Sequence, residues 1–294
     1  MQYYILAFAA TLLLATDFSL NKLYQRRAGS SAAAGFAFNA LCGIFTAIVF
    51  WAINGFKFEF TPFSLVMATA MATSVLLYSL AGLKMLSGGR LAVYTLFLMT
   101  GGMSLPYIFG LIFWNEPFSV LRTAGILLIT AGVVCANISK KRSSDSRGGL
   151  YLLLGVIVFV LNGCASIISK SHQIDTAHAT VSAVSFVMLV GLMRAVTCAA
   201  AFAVCAKKDP AAAKELPLLH AVPITAASAV ISGASYLFQL IGAANLPATV
   251  LYPIVTGGSI VFTTLAGWLL FREKPPARTW IGVLLCLAGT LLFL

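Results

Sequence analysis

Apolar stretches of about twenty residues follow one another along the chain, separated by short breaks that carry charge, proline or glycine. At 1.5 Å per residue, about twenty helical residues cross the hydrocarbon core of a bilayer. The pattern predicts ten helices, at about 2–22, 31–53, 63–83, 91–113, 121–138, 149–169, 178–205, 220–243, 248–271 and 278–294. The most polar stretches are 138–149 and 207–215, and the first divides the chain almost in half.

Composition turns this pattern into a fold class, an all-α integral membrane protein. Of 294 residues, 60% are hydrophobic and 9% charged, against roughly 25% charged in a soluble domain. So few charges cannot cover the surface of a water-soluble fold of this size. Ten spans with short connections leave no room for a soluble catalytic or nucleic-acid-binding domain. The net charge of +11 is spread as single residues and small groups between apolar runs, which is a topology signal and not a nucleic-acid footprint. The six cysteines (Cys42, Cys135, Cys164, Cys198, Cys205, Cys286) fall inside apolar segments without metal-ligand spacing and read as small core fillers. The segment 1–15 lacks a basic leader region and is read as part of the first span.

Lys and Arg also give an orientation. Numbering the loops in order, the odd ones hold fifteen basic residues: Lys22, Arg26 and Arg27; Lys84 and Arg90; Lys140, Lys141, Arg142 and Arg147; Lys207, Lys208 and Lys214; Arg272, Lys274 and Arg278. The even loops hold three, Lys57, Arg122 and Lys170. Short loops rich in Lys and Arg stay cytoplasmic, so both termini are expected outside the cytoplasm, in a multi-pass protein of the cell's inner membrane.

The halves repeat. A shift of about 157 residues lays Trp114-Asn115-Glu116-Pro117 on Phe271-Arg272-Glu273-Lys274, Gly110 on Gly267, and Gly125 and Gly132 on Gly282 and Gly289. One residue out of that register, Thr100-Gly101-Gly102 meets Thr256-Gly257-Gly258. A shift of about 148 lays Lys22 on Lys170, Gln25 on Gln173, Phe38 on Phe186 and Gly43 on Gly191. The expected organisation is a five-helix unit at 1–138, a basic connecting loop at 139–148 and a second unit at 149–294. An odd number of spans per unit forces opposite insertion of the two copies, the inverted-repeat plan of secondary transporters.

Two five-helix halves, each with an apolar helix, a short acidic turn (Glu116, Glu273) and a closing Gly-x6-Gly helix, resemble the EamA-type branch of the drug/metabolite transporter superfamily. The resemblance covers the whole chain and implies secondary transport of a small organic solute, with amino acids or related metabolites as the first class. The segments Gly125 to Gly132 and Gly282 to Gly289 also look like the helix-pairing motif of the related small multidrug resistance proteins. A homodimer through either helix, or a monomer, follows from that likeness.

Candidate chemistry lies where polar residues recur on one helical face. Thr100, Ser104 and Tyr107 do so in the fourth span, and Asn162, Ser166 and Ser169 in the sixth. Ser228, Ser232, Ser235 and Gln239 do so in the eighth, and Tyr252, Thr256, Ser259 and Thr263 in the ninth. Several such faces would line a wet cavity, to which Tyr107, Tyr236 and Tyr252 add rings with polar tips. Any one hydroxyl can instead bond its own helix, and the Thr-Gly-Gly segments beside Pro106 and Pro253 read equally as close packing or as loosened backbone at a binding site. The substrate-binding candidates are Thr100, Ser104, Tyr107, Asn162, Ser166, Tyr236, Gln239, Tyr252, Thr256 and Ser259. Spans 1, 3, 4, 6, 8 and 9 are expected to form the cavity, and spans 5 and 10 to be peripheral.

Asp17 is the only acid within a predicted span and the candidate for proton or cation coupling, since a carboxylate in the membrane is costly unless paired, protonated or hydrated. Arg194 is the only deep base, a partner for Asp17, a ligand for a substrate carboxylate, or an anchor on backbone carbonyls. A lone arginine provides poorly for a multiply charged anion. Neutral, zwitterionic or monocationic solutes fit better, with hydrophobic cations and lipid-linked sugars as alternatives. Paired intramembrane aspartates, an H-E-x-x-H motif and a phosphate-binding glycine loop are absent from the sequence. His172, His178 and His220 fall at helix ends, so no enzyme, cofactor or metal is expected.

Overall fold

A computed structural model describes residues 1–29, 31–87, 91–137, 148–210 and 218–294. Among them are ten helices: α1 (Gln2–Ala28), α2 (Ala32–Ile53), α3 (Pro62–Ser87), α4 (Leu91–Phe113), α5 (Val120–Asn137), α6 (Gly148–Ile174), α7 (Ala183–Lys208), α8 (Leu218–Asn245), α9 (Ala248–Phe271) and α10 (Ala277–Leu291). Eight are long and apolar enough to cross a membrane, and α5 and α10 are shorter apolar helices. Leu127, Leu152, Leu153, Leu269 and Leu284 lie well exposed on the outside of the bundle, as side chains facing lipid do. The 139–148 loop expected between the halves, and the basic residues Arg90, Lys140, Lys141, Arg142, Arg147 and Lys214, lie outside the described residues or at their masked edges.

Two helices run five residues or more past their expected ends. α1 continues six residues beyond Lys22, and α6 five residues beyond Ser169. Basic side chains suit the negative end of a helix dipole, so Arg26 and Arg27 in the last turn of α1 continue the helix where they had been read as its boundary. Lys22 and Lys170 are therefore helical residues, not loop cations. α7 starts at Ala183 instead of 178, capped by Ser182, whose Oγ accepts from the Ser185 amide at 3.3 Å. Glu59, in the α2–α3 connection, accepts from the hydroxyls of Ser182 and Ser185 at 2.9 and 2.6 Å. Those bonds, Ser185's first, hold its carboxyl below the usual carboxylate value.

Packing between the halves obeys a two-fold rule. Advancing each helix number by five, cyclically, turns the α1–α8 contact into α6–α3, α4–α6 into α9–α1, and α3–α7 into α8–α2. The α2–α7, α4–α9 and α5–α10 pairs map onto themselves. Most helices thus find their principal partners in the other half, so the halves interlock and share one core.

Glycine sets the self-paired crossings. A Cβ on Gly43 would lie 2.6 Å from both the Gly191 carbonyl and the Ala195 amide, so α2 and α7 touch backbone to backbone. α5 and α10 do the same at both ends of their motif: a Cβ on Gly132 would lie 2.6 Å from the Gly282 carbonyl, and one on Gly289 2.7 Å from that of Gly125. This corrects the expected dimer surface. Both Gly-x6-Gly faces are buried against each other within one chain, and neither is left to pair with a second copy.

Candidate functional site

Helices α1, α2, α7 and α8 bring the two deep charges into one region. Asp17, from the second half of α1, accepts a short hydrogen bond from Ser228 Oγ of α8. Arg194, mid-way along α7, donates from Nε and Nη2 to Asn39 Oδ1 of α2 at 3.2 and 2.5 Å. Among the described residues, Asp17 and Arg194 form no ion pair with each other; each is held by a neutral partner. Asn39 also lines a cavity of about 140 Å³ with Gly35 and Phe36 of α2, Ser79, Gly82 and Leu83 of α3, and Tyr94 of α4. Gly82 is needed there, because a Cβ would come 2.5 Å from the Tyr94 ring.

The polar faces of α4, α6, α8 and α9 meet nearer the opposite face of the bundle. Asn162 Nδ2 donates to the Leu98 carbonyl at 2.7 Å, and Ser166 Oγ to that of Gly102 at 3.2 Å, joining α6 to α4. Tyr252 donates from α9 to the Ser166 carbonyl at 2.5 Å, and Tyr236 shares a 2.9 Å bond with Ser169. Gln239 donates to Ser235 at 3.3 Å. Thr100 donates to Leu96 of its own helix and Ser259 to the Thr256 carbonyl of its own. Tyr107 lies apart, bonded to Thr123 of α5 at 2.8 Å. Ser104 and Thr256 are half-buried. The bundle therefore gathers Asn162, Ser166, Tyr252 and Tyr236 with Ser169 along α6, as helix-to-helix bonds, while the 140 Å³ cavity lies beside Asn39.

Two ion pairs cross between the halves in equivalent places. Lys22 of α1 pairs with Glu273 after α9, and Lys170 of α6 lies 3.9 Å from Glu116 after α4. Both glutamates follow a residue in the left-handed conformation, Arg272 (φ 52°) and Asn115 (φ 50°). That turn returns the Glu273 amide to the Gly267 carbonyl and the Glu116 amide to that of Gly110, at 3.1 and 3.0 Å. A Cβ on Gly110 or Gly267 would lie 2.9 Å from the carboxylate it faces. The aligned lysines and glutamates were visible as repeats, and their pairing across the halves needed the folded bundle. Asn39 had no sequence signal, because a single Asn among small apolar residues carries no period.

Comparison with known proteins agrees with this architecture. A solved crystal structure superposes with a TM-score of 0.76 at 18% identity, covering 99% of this chain and 96% of its own; at that identity the likeness is one of fold. Among curated proteins, the probable 4-amino-4-deoxy-L-arabinose-phosphoundecaprenol flippase subunits ArnE of Salmonella typhimurium (strain LT2) and Salmonella paratyphi B are each 32% identical over 63 residues. That match takes in 21% of this chain and 56% of the relatives, so the chain spans little more than half the length of the curated proteins it matches. A family model described as the EamA-like transporter family matches residues 147–294. With half the chain matched to that model, this multi-pass membrane protein belongs to the EamA-like transporter family.

Proposed function

We propose that the chain is a secondary carrier for a small zwitterionic or neutral metabolite, amino acids first, working by alternating access between its two five-helix units, 1–138 and 149–294. The observation that carries this reading is the pair of deep charges, each held by a neutral partner and neither neutralising the other. Asp17 offers a carboxylate to a substrate ammonium, and Arg194 a planar guanidinium to a substrate carboxylate. A carboxylate in the membrane is also a proton carrier, since protonation removes a charge that is expensive there. Asp17 therefore couples transport to protons in this reading. Asn162, Ser166, Tyr236 and Tyr252, which bond between helices nearer the other face, are the further substrate contacts of this reading, with Ser104, Thr256 and Gln239 as additional polar edges.

Reconstitution tests the reading. Purified protein in liposomes is expected to accumulate radiolabelled zwitterionic amino acids when an inward proton gradient is imposed. Absence of flux across an amino-acid panel, with movement of an undecaprenyl-linked sugar, would replace it with the flippase activity named for the Salmonella relatives.

The orientation proposed is with both termini outside the cytoplasm of the cell's inner membrane. Setting aside Lys22 and Lys170, which lie inside α1 and α6, leaves the excess of Lys and Arg on the odd connections nearly unchanged. An alkaline phosphatase fusion at Leu294 is expected to be active and a fluorescent-protein fusion there dark. The opposite pattern would invert the assignment.

A further inference from the structure

The two cross-half ion pairs are one constellation in two conditions. Lys170 and Glu116 are 7% and 8% exposed, Lys22 and Glu273 37% and 45%. In the buried copy Lys170 Nζ donates to the carbonyls of Ala243 and Leu246 at 2.8 and 2.7 Å, at the end of α8. Glu116 accepts from the amides of Ala248 and Thr249 at 2.6 and 2.8 Å, at the start of α9. Cation and anion thus sit at the helix ends whose dipoles favour them, and together they tie α4, α6, α8 and α9 at one face. In the exposed copy Lys22 and Glu273 hold each other, with the Phe271 ring 4.7 Å from the ammonium, as the Trp114 ring is 5.9 Å from Lys170. The helices differ in the same sense. α6 packs on α8, whereas their equivalents α1 and α3 make at most a glancing contact among the described residues. The 140 Å³ cavity beside Asn39 lies on this loosened side, between the start of α2 and the end of α3.

We propose that Lys170–Glu116 and Lys22–Glu273 are the two latches of one alternating gate, and that they exchange the buried and exposed conditions as the carrier changes the face it opens. An exposed ion pair is worth little, because water competes for both charges, whereas a buried pair held by helix ends depends on its partners. Exchanging the two environments between two copies of the same groups leaves the sum nearly unchanged, which is what a bistable element needs. These four residues are positioning residues: they set which face is open and do not touch substrate.

The inference takes its meaning from the carrier reading, but its test needs no substrate. In a background with the six native cysteines replaced, single cysteines are placed on α3 at Met71, which contacts Ser169 and Tyr236 beneath the buried latch, and at Ser79, which lines the cavity on the loosened side. Labelling with a membrane-impermeant maleimide in detergent reports each face. Glu116→Gln is expected to raise labelling at position 71 by about tenfold and to lower it at 79, by shifting the two-state population. Glu273→Gln is expected to do the reverse, suppressing position 71 below its wild-type level. Its pair is exposed, so this variant folds without an unpaired buried charge and carries the test even if Glu116→Gln is unstable. Labelling at 71 that Glu273→Gln leaves unchanged, or raises, would overturn the latch assignment and leave the carrier reading intact. Absent flux in liposomes, with labelling that still moves in opposite senses, would overturn the carrier reading alone.

Discussion

Arg194→Gln is expected to raise the KM for zwitterionic substrate by roughly 30-fold or more, the counterpart of losing about 2–5 kcal/mol when one partner of a desolvated charged contact is truncated. The glutamine can still donate to Asn39, so the α2–α7 contact at Gly43 and Gly191 keeps its polar neighbour and the fold is retained. What disappears is the flat, permanently charged donor proposed to grip the substrate carboxylate. Asp17→Asn is the complementary variant. Its amide oxygen can still accept from Ser228, whose bond now goes to the carboxylate, while the charge proposed to attract an ammonium and the group proposed to bind a coupling proton are gone. Concentration of substrate by a pH gradient is then expected to vanish, with downhill exchange persisting. The two poles are separable with cut-down substrates. An amine lacking the carboxylate should be insensitive to Arg194→Gln, and an acid lacking the amine insensitive to Asp17→Asn. Equal losses for both analogues in both variants would show that the charges hold the bundle together and do not recognise solute.

Much of this architecture was written in the spacing of apolar runs, and what escaped has physical reasons. Most of the helix ends were readable because Gly, Pro and polar residues interrupt the runs. The start of α7, set by its Ser182 cap, was not, nor were the last turns of α1 and α6, where Lys22 and Lys170 look like boundaries when charge alone is considered. Both sit inside helices, where a carboxylate supplied by the other half compensates each ammonium. The sequence alignment put Lys22 on Lys170 and Glu116 on Glu273, yet each lysine pairs with the glutamate of the opposite unit. The two-fold relation between the halves makes that crossing possible, and no spacing within one half reveals it. The candidate polar faces were legible as faces, and the structure uses many of their hydroxyls and amides as helix-to-helix bonds. Asn39 was invisible for the converse reason: its importance comes from Arg194, 155 positions away.

The Thr-Gly-Gly segments of α4 and α9 admitted two readings, loosened backbone at a binding site or close packing, and the surroundings of the glycines separate them by consequence. A Cβ on Gly101 would run into the backbone of α6 at Phe159, and one on Gly102 would come 2.5 Å from Asn162 Nδ2. Backbone cannot rotate out of the way, so Gly101→Ala must push α4 off α6 and strain the Asn162 and Ser166 bonds that join them. In α9 the neighbours are side-chain ends: Thr290 Oγ1 and Ile129 Cδ1 for Gly257, and Thr11 Cγ2 at 2.7 Å for Gly258. Overpacking a membrane interface that relies on small residues costs about 1–3 kcal/mol where neighbours can give, and more where they cannot. Gly101→Ala is therefore expected to lower the thermal midpoint in detergent several times further than Gly258→Ala, with loss of monodisperse protein. Equal and small shifts, accompanied by loss of transport in both, would mean instead that the two segments serve the substrate and that their close approach to neighbouring helices is incidental.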